Sequence, residues 1–200
     1  WIEEVHPPAK RLNDGNRINV GVEVLQPAIP YNLTGYGVKA SEWDGGWADT
    51  SHDDLGKRVT IGDAATCSPP ADSGTCGTDT HATHVAGTLL GNGSLSALRG
   101  GTALQWRGMA PNASLISFEW WDSISEMNSE YATAINFGAR LSTNSWGYTY
   151  SAGSKYGRYD ASTAAIDAIV TGSRGGVLSI MWAAGNERDP ALCDAQPFDC

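Results

Sequence analysis

Apolar positions along the chain fall into two kinds of stretch, one with helical spacing and one without breaks. Ala82, Val85, Ala86, Leu89 and Leu90 follow an i, i+3, i+4, i+7, i+8 pattern, which predicts a helix with one apolar face. Asp79 or Thr80 can cap its start, and Gly91 or Gly93 can end it. Residues 125–138 also read as helical, and Asp160 can cap a helix running to about Thr171, with Ile166, Ile169 and Val170 on one side. Between these lie strand-like runs. Residues 35–46 carry Val38, Ala40 and Trp43 and break at Asp44-Gly45-Gly46. Residues 57–62 form a second short run, and 113–121 is a mostly apolar stretch of the kind that forms a buried strand. Residues 139–147 end in glycine, and 176–186 run into Gly185-Asn186. Residues 1–34, with Pro7, Pro8, Pro27 and Pro30, read as an irregular arm, and 63–79 as a Gly/Pro/Asp-rich loop.

Strands alternating with helices predict an α/β domain over 35–200, built on a parallel sheet with right-handed crossovers. Ligands of such sheets bind beyond the carboxyl ends of the strands. Asp44, Ser145 and Asn186 all fall at those predicted ends. His81 sits in the first turn of the helix that follows the loop, and His84 lies nearly opposite its apolar face.

Composition narrows the reading. The 41% apolar and 18% charged content is that of a globular chain, and 24 glycines spread without period imply many tight loops. A net charge of −9 repels phosphate backbones, which argues against nucleic acid as a partner. No stretch approaches the ~18 apolar residues of a membrane span. The four cysteines fall in two short loops, Cys67 with Cys76 and Cys193 with Cys200, which fits two local disulfides and an oxidising compartment. Four free thiols, or a zinc site of Cys67, Cys76, His81 and His84, are the alternatives; the zinc set lacks the usual C-x2-C spacing. Sequons stand at Asn32, Asn92 and Asn112.

Five segments in order resemble the subtilisin-like serine peptidases, the subtilases. SEWDGGWADTSHDDL (41–55) resembles the family's aspartate segment, and HATHVAGT (81–88) its histidine motif. GMAPNASLIS (108–117) is similar to the strand entry that follows. NSWG (144–147) resembles the segment that pairs with substrate backbone, and AAGN (183–186) the one carrying the oxyanion asparagine. The resemblance implies a three-layer subtilisin-like fold, incomplete at its C-terminal side, and hydrolysis of peptide bonds in extended protein substrates.

It also implies roles. Asp44 would orient His81, His81 would serve as general base, and Asn186 would donate to the oxyanion. Ser145, Trp146 and Gly147 would pair with the substrate as an added strand. His84 would be a structural neighbour. The chemistry needs no cofactor, while structural calcium is an expectation from the family, with the loops at 49–54 and 187–199 as candidates. Taken singly, Asp44 and Asn186 also fit ordinary turn positions and Trp146 fits core packing.

The family's Gly-Thr-Ser-x-Ala segment does not occur in the sequence. The expectation is therefore an N-terminal portion of a catalytic domain, with the nucleophile on a C-terminal companion segment and apolar sheet surface left exposed. The opening WIEEV (1–5) resembles the tail of a propeptide, which implies an upstream prodomain and secretion. A catalytically incomplete pseudo-peptidase or peptide-binding module is the competing expectation. Ala82 and Gly45 depart from the family's glycine after the histidine and threonine after the aspartate.

Overall fold

A computed structural model describes residues 13–27, 29–63, 76–147 and 157–185. Five strands form one sheet: β1 (Lys39–Asp44), β2 (Val59–Ile61), β3 (Ser114–Glu119), β4 (Leu141–Asn144) and β5 (Ser179–Trp182). All pairings are parallel, in the order β2-β3-β1-β4-β5. The helices are α1 (Asn13–Asn19), α2 (Thr80–Leu90), α3 (Ile124–Phe137) and α4 (Ala161–Val170). Each expected strand and each expected helix is present, and the strands are shorter than the apolar runs suggested. The expected α/β parallel-sheet architecture is the observed one.

Side-chain alternation along the strands builds two cores. On one face Ala40 of β1, Val59 of β2 and Leu115 of β3 pack with Ala86 and Leu90 of α2. On the other, Trp43 of β1 and Ile116 and Phe118 of β3 pack with Met127, Tyr131 and Ala134 of α3 and Ala165 and Ile169 of α4. Trp43 is the centre of this second core. It stacks on Phe118 at 4.7 Å between ring centroids and lies 4.2 Å from Tyr131. Its indole N–H donates to the buried carboxyl of Glu130 at 2.8 Å. Burial pushes Glu130 up to about 8, so it holds a proton at neutral pH.

Helix ends follow local chemistry. Asp79 caps α2 through the backbone N–H groups of His81 and Ala82, Ser123 caps α3 through Glu126, and Asp160 caps α4 through Thr163. Gly138 ends α3 at φ 99°, a left-handed conformation that a side chain would strain.

The N-terminal arm departs from expectation. Its prolines predict an irregular segment, yet it contains α1 and a 3-10 turn at Val22–Val24. Long-range contacts hold it down: Gln26 Nε2 donates to the carbonyls of Gly108 and Met109, and Arg17 to that of Arg107. At the other side of the sheet β5 is outermost, and its Met181 and Trp182 are 47% and 39% exposed. Among the described residues no helix is long and apolar enough to cross a membrane.

Candidate active site

The order of the strands turns beside β1, which has β3 on one side and β4 on the other. Asp44 is the last residue of β1 and faces α2, as Ala40 does four positions earlier. It is 2% exposed. His81 is the second residue of α2, and its side chain is 59% exposed. Its Nδ1 lies 2.8 Å from Asp44 Oδ1 and 2.9 Å from Oδ2. A buried carboxylate therefore grips one ring nitrogen, which selects the tautomer that leaves Nε2 for chemistry.

Two further contacts hold the pair. The backbone N–H of Gly45 donates to Asp44 Oδ1 at 2.7 Å. Asp79 Oδ1 accepts the backbone N–H of His81 at 2.8 Å. Burial pushes the Asp44 carboxyl above its ordinary value, and the bonds from Gly45 and His81 pull it back down. Gly45 also resolves one departure noted above: its N–H takes up the carboxylate, and a Cβ there would come within 3.3 Å of the Trp120 ring. Ala82 is fully buried, its methyl group absorbed among the packed residues of α2.

The carboxyl ends of β3 to β5 carry aromatic rings. Trp146 lies 5.7 Å from Trp120, 5.0 Å from Trp121 and 5.2 Å from Trp182. The Trp182 indole donates to the Trp146 carbonyl at 2.7 Å. Ser145, Trp146 and Gly147 follow β4 directly, at the same end of the sheet as Asp44. Trp146 is half-buried, and its side chain packs against the second core.

Acidic groups crowd the same end. Glu119, the last residue of β3, is pushed up to about 7 by burial and then by Asp63, Asp122 and Glu126. Asp63 receives the Glu119 backbone N–H at 2.9 Å and the Trp47 indole. Neither Glu119 nor Asp63 was singled out from the sequence. Glu42 was missed too, although its spacing from Asp44 on a strand places both on one face, a signal that alternation alone supplies.

Other candidates fare differently. Asn186, Cys67, Cys193, Cys200 and the 187–199 loop lie outside the described residues. Of the zinc set of Cys67, Cys76, His81 and His84, the described members are engaged elsewhere or apart: Cys76 is disulfide-bonded and His81 is turned to Asp44. Asp44, Asp79 and His81 do bring three ligand-type atoms within 4.8 Å of one another, but the aspartates are engaged by the ring and the helix cap. In the 49–54 loop, Asp49 accepts from Ser51, and Asp54 from Ser94 and Leu95. His84 is exposed and lines a separate cavity of about 590 Å³ on the outer side of α2, together with His52, Gly87 and Trp106.

No curated protein sequence matches the chain. Its fold is similar to that of the crystal structure of MycP1 with the N-terminal propeptide removed, at a TM-score of 0.55 and 23% identity. The similarity covers 90% of this chain and 50% of MycP1, so the chain spans about half the length of that protein. The model of the subtilase family, Peptidase S8, matches residues 43–198, a span that takes in Asp44, His81 and the strand ends around them. The chain belongs to the subtilase family.

Proposed function

We propose that this chain supplies the aspartate and histidine of a secreted serine endopeptidase that cleaves extended protein segments. The observation that carries the reading is the contact of His81 Nδ1 with both oxygens of the buried Asp44 carboxylate. In this reading Asp44 fixes the His81 tautomer and stabilises the imidazolium as it forms. His81 Nε2 takes the proton of a serine hydroxyl and passes it to the leaving amine. Asn186 donates its side-chain amide to the oxyanion of the tetrahedral intermediate. The backbone of Ser145, Trp146 and Gly147 pairs with the substrate as an added strand.

The nucleophile belongs to a Gly-Thr-Ser-x-Ala segment outside the given sequence, which contains none. A C-terminal companion segment carries it, and a prodomain precedes the chain. Cys67 pairs with Cys76 and Cys193 with Cys200, in keeping with secretion. No cofactor enters the chemistry, and any calcium is structural, bound in loops away from Asp44 and His81. Peptide or protein substrate is the partner.

The competing reading is a peptide-binding pseudo-peptidase that keeps the cleft and lacks the serine. Fluorophosphonate labelling of the native protein, with the mass of every labelled chain, separates the two. Label on a longer product or on a companion chain supports the peptidase. Absence of label on a preparation whose intact mass matches these residues supports the binding module.

A further inference from the structure

Glu42 is a buried carboxyl group that the proposed chemistry does not use. It stands two residues before Asp44 on β1, and its side chain is 0% exposed. Alternation puts it on the α2 face of the sheet, between Ala40 and Asp44. Its Oε2 accepts the Ser117 hydroxyl from β3 at 3.2 Å, and its Oε1 has no hydrogen-bond partner among the described residues. A side chain that only filled space there would be apolar, because a buried carboxyl with an unused oxygen is costly.

The contacts beyond Ser117 lead to His81. Ser117 Oγ accepts the backbone N–H of Ala48 at 3.1 Å, which ties down the turn that follows Asp44. Trp47, the preceding residue of that turn, donates its backbone N–H to Gly77 and accepts that of Asp79, each at 2.8 Å. Asp79 in turn accepts the backbone N–H of His81. One run of hydrogen bonds and adjoining residues thus links Glu42 to the helix start that carries the histidine, while β1 links it to the aspartate.

We infer that Glu42 is a positioning residue: through Ser117 and the 45–49 turn, its buried carboxyl group holds Asp44 and His81 in register. The inference rests on the reading of that pair as the acid–base half of a peptidase site. Burial dictates the form in which Glu42 acts. It raises the carboxyl well above its ordinary value, and Asp44 on the same strand and, more weakly, Asp79 at the cap of α2 push it the same way, against the pull of the Ser117 hydroxyl. The neutral acid leaves Asp44 as the charge that His81 meets. An ionised Glu42 would place a second, unpaired negative charge beneath it.

The test uses the full-length protein, labelled with 13C at glutamate and 15N at histidine, and needs no turnover. At neutral pH the Glu42 carboxyl carbon is expected at the protonated position, and the His81 Nδ1–H resonance should be visible downfield. Glu42→Gln, neutral and able to accept from Ser117, should keep that resonance. Glu42→Leu and Ser117→Ala should lose it or broaden it severely, with shifts at the Ala48 and Asp79 amides. Should Glu42→Leu fail to fold, Ser117→Ala carries the comparison. A carboxylate signal from Glu42 at neutral pH would overturn the inference, as would an unchanged His81 resonance in folded Ser117→Ala or Glu42→Leu. Failure of the peptidase reading would show separately, in the fluorophosphonate labelling, and would leave these spectra unaffected.

Discussion

Asp79 holds the backbone of His81 while Asp44 holds its ring, so the residue that caps α2 also sets the height at which the imidazole enters the cleft. The cap accepts two N–H groups, from His81 at 2.8 Å and Ala82 at 2.9 Å. Asp79→Ala removes both bonds and is expected to destabilise the chain by about 1 kcal/mol, within the ~0.5–2 kcal/mol range of N-cap deletions. Asp79→Asn keeps an acceptor and should retain most of that. Urea midpoints of the three proteins check the order.

Removing the histidine side chain separates chemistry from folding. His81 is 59% exposed, so His81→Ala leaves little core disturbed. In the protein that carries the serine, turnover should fall on the order of 10⁴-fold or more, a scale known from subtilisins themselves. The melting temperature should stay within about 2 °C, less than the shift that a 1 kcal/mol loss brings to a domain this size. Asp44→Asn should lose activity on a similar scale, because an amide no longer dictates the tautomer. Near-normal turnover in either variant would remove the pair from the reaction.

The parts of this architecture that the sequence disclosed are the ones governed by local spacing. Apolar periodicity placed α2, and the mostly apolar run at 113–121 located β3, because burial on one or both faces writes itself into the order of residues. The ends of strands marked by Gly45-Gly46 put Asp44 at a cleft, and the helix start put His81 there too. Other features were hidden for a physical reason. Gln26 is buried because two carbonyls some eighty residues away receive its amide, and no local pattern encodes that. Glu130 sits in a helix as an ordinary glutamate would, and only the arrival of Trp43 makes it a buried hydrogen-bond acceptor. Glu119 becomes unusual only through the carboxylates gathered around it by the fold.

Glu130 gives the stability of the chain a pH dependence of definite sign. Unfolded, the group titrates near 4.5, and folded it is raised to about 8 by burial. Between those values the folded chain keeps a proton that the unfolded chain has lost, so stability falls as pH rises through the window. Glu119, raised to about 7, acts in the same direction over a narrower range. Glu130→Gln keeps an acceptor for the Trp43 indole and removes the ionisable group. Its urea midpoint should gain on that of the wild-type chain between about pH 5 and about pH 8.5. A constant difference across that range would show that Glu130 is ionised throughout.

The tryptophans at the strand ends form one coupled group. Trp182 lies 5.7 Å from Trp121 and 5.2 Å from Trp146, and its indole donates to the Trp146 carbonyl. Trp182→Ala should cost about 1–3 kcal/mol, the sum expected for two aromatic pairs. The same change should reduce the near-ultraviolet circular dichroism by more than one tryptophan's share, because coupled rings lose signal together. It should also loosen Ser145–Gly147, since the donor that fixes their middle carbonyl is gone.

Two glycines at the far end of α2 make opposite predictions. A Cβ added at Gly87 would meet nothing within 4 Å, although the residue lies inside a helix where glycine costs about 0.5–1 kcal/mol relative to alanine. A Cβ at Gly108 would come within 2.7 Å of the Gly87 carbonyl oxygen and 2.8 Å of the Gly91 and Leu90 nitrogens. The Gly108 N–H also donates to the Gly91 carbonyl at 2.7 Å, so that backbone crosses the helix end at close range. On the 200-residue chain, Gly87→Ala should therefore raise stability by about 0.5–1 kcal/mol, and Gly108→Ala should lower it by about 1–3 kcal/mol. Chemical denaturation of both variants reads the difference. A loss of stability in Gly87→Ala would mean that something packs against that face of α2 in solution, at the cavity it shares with His84 and Trp106.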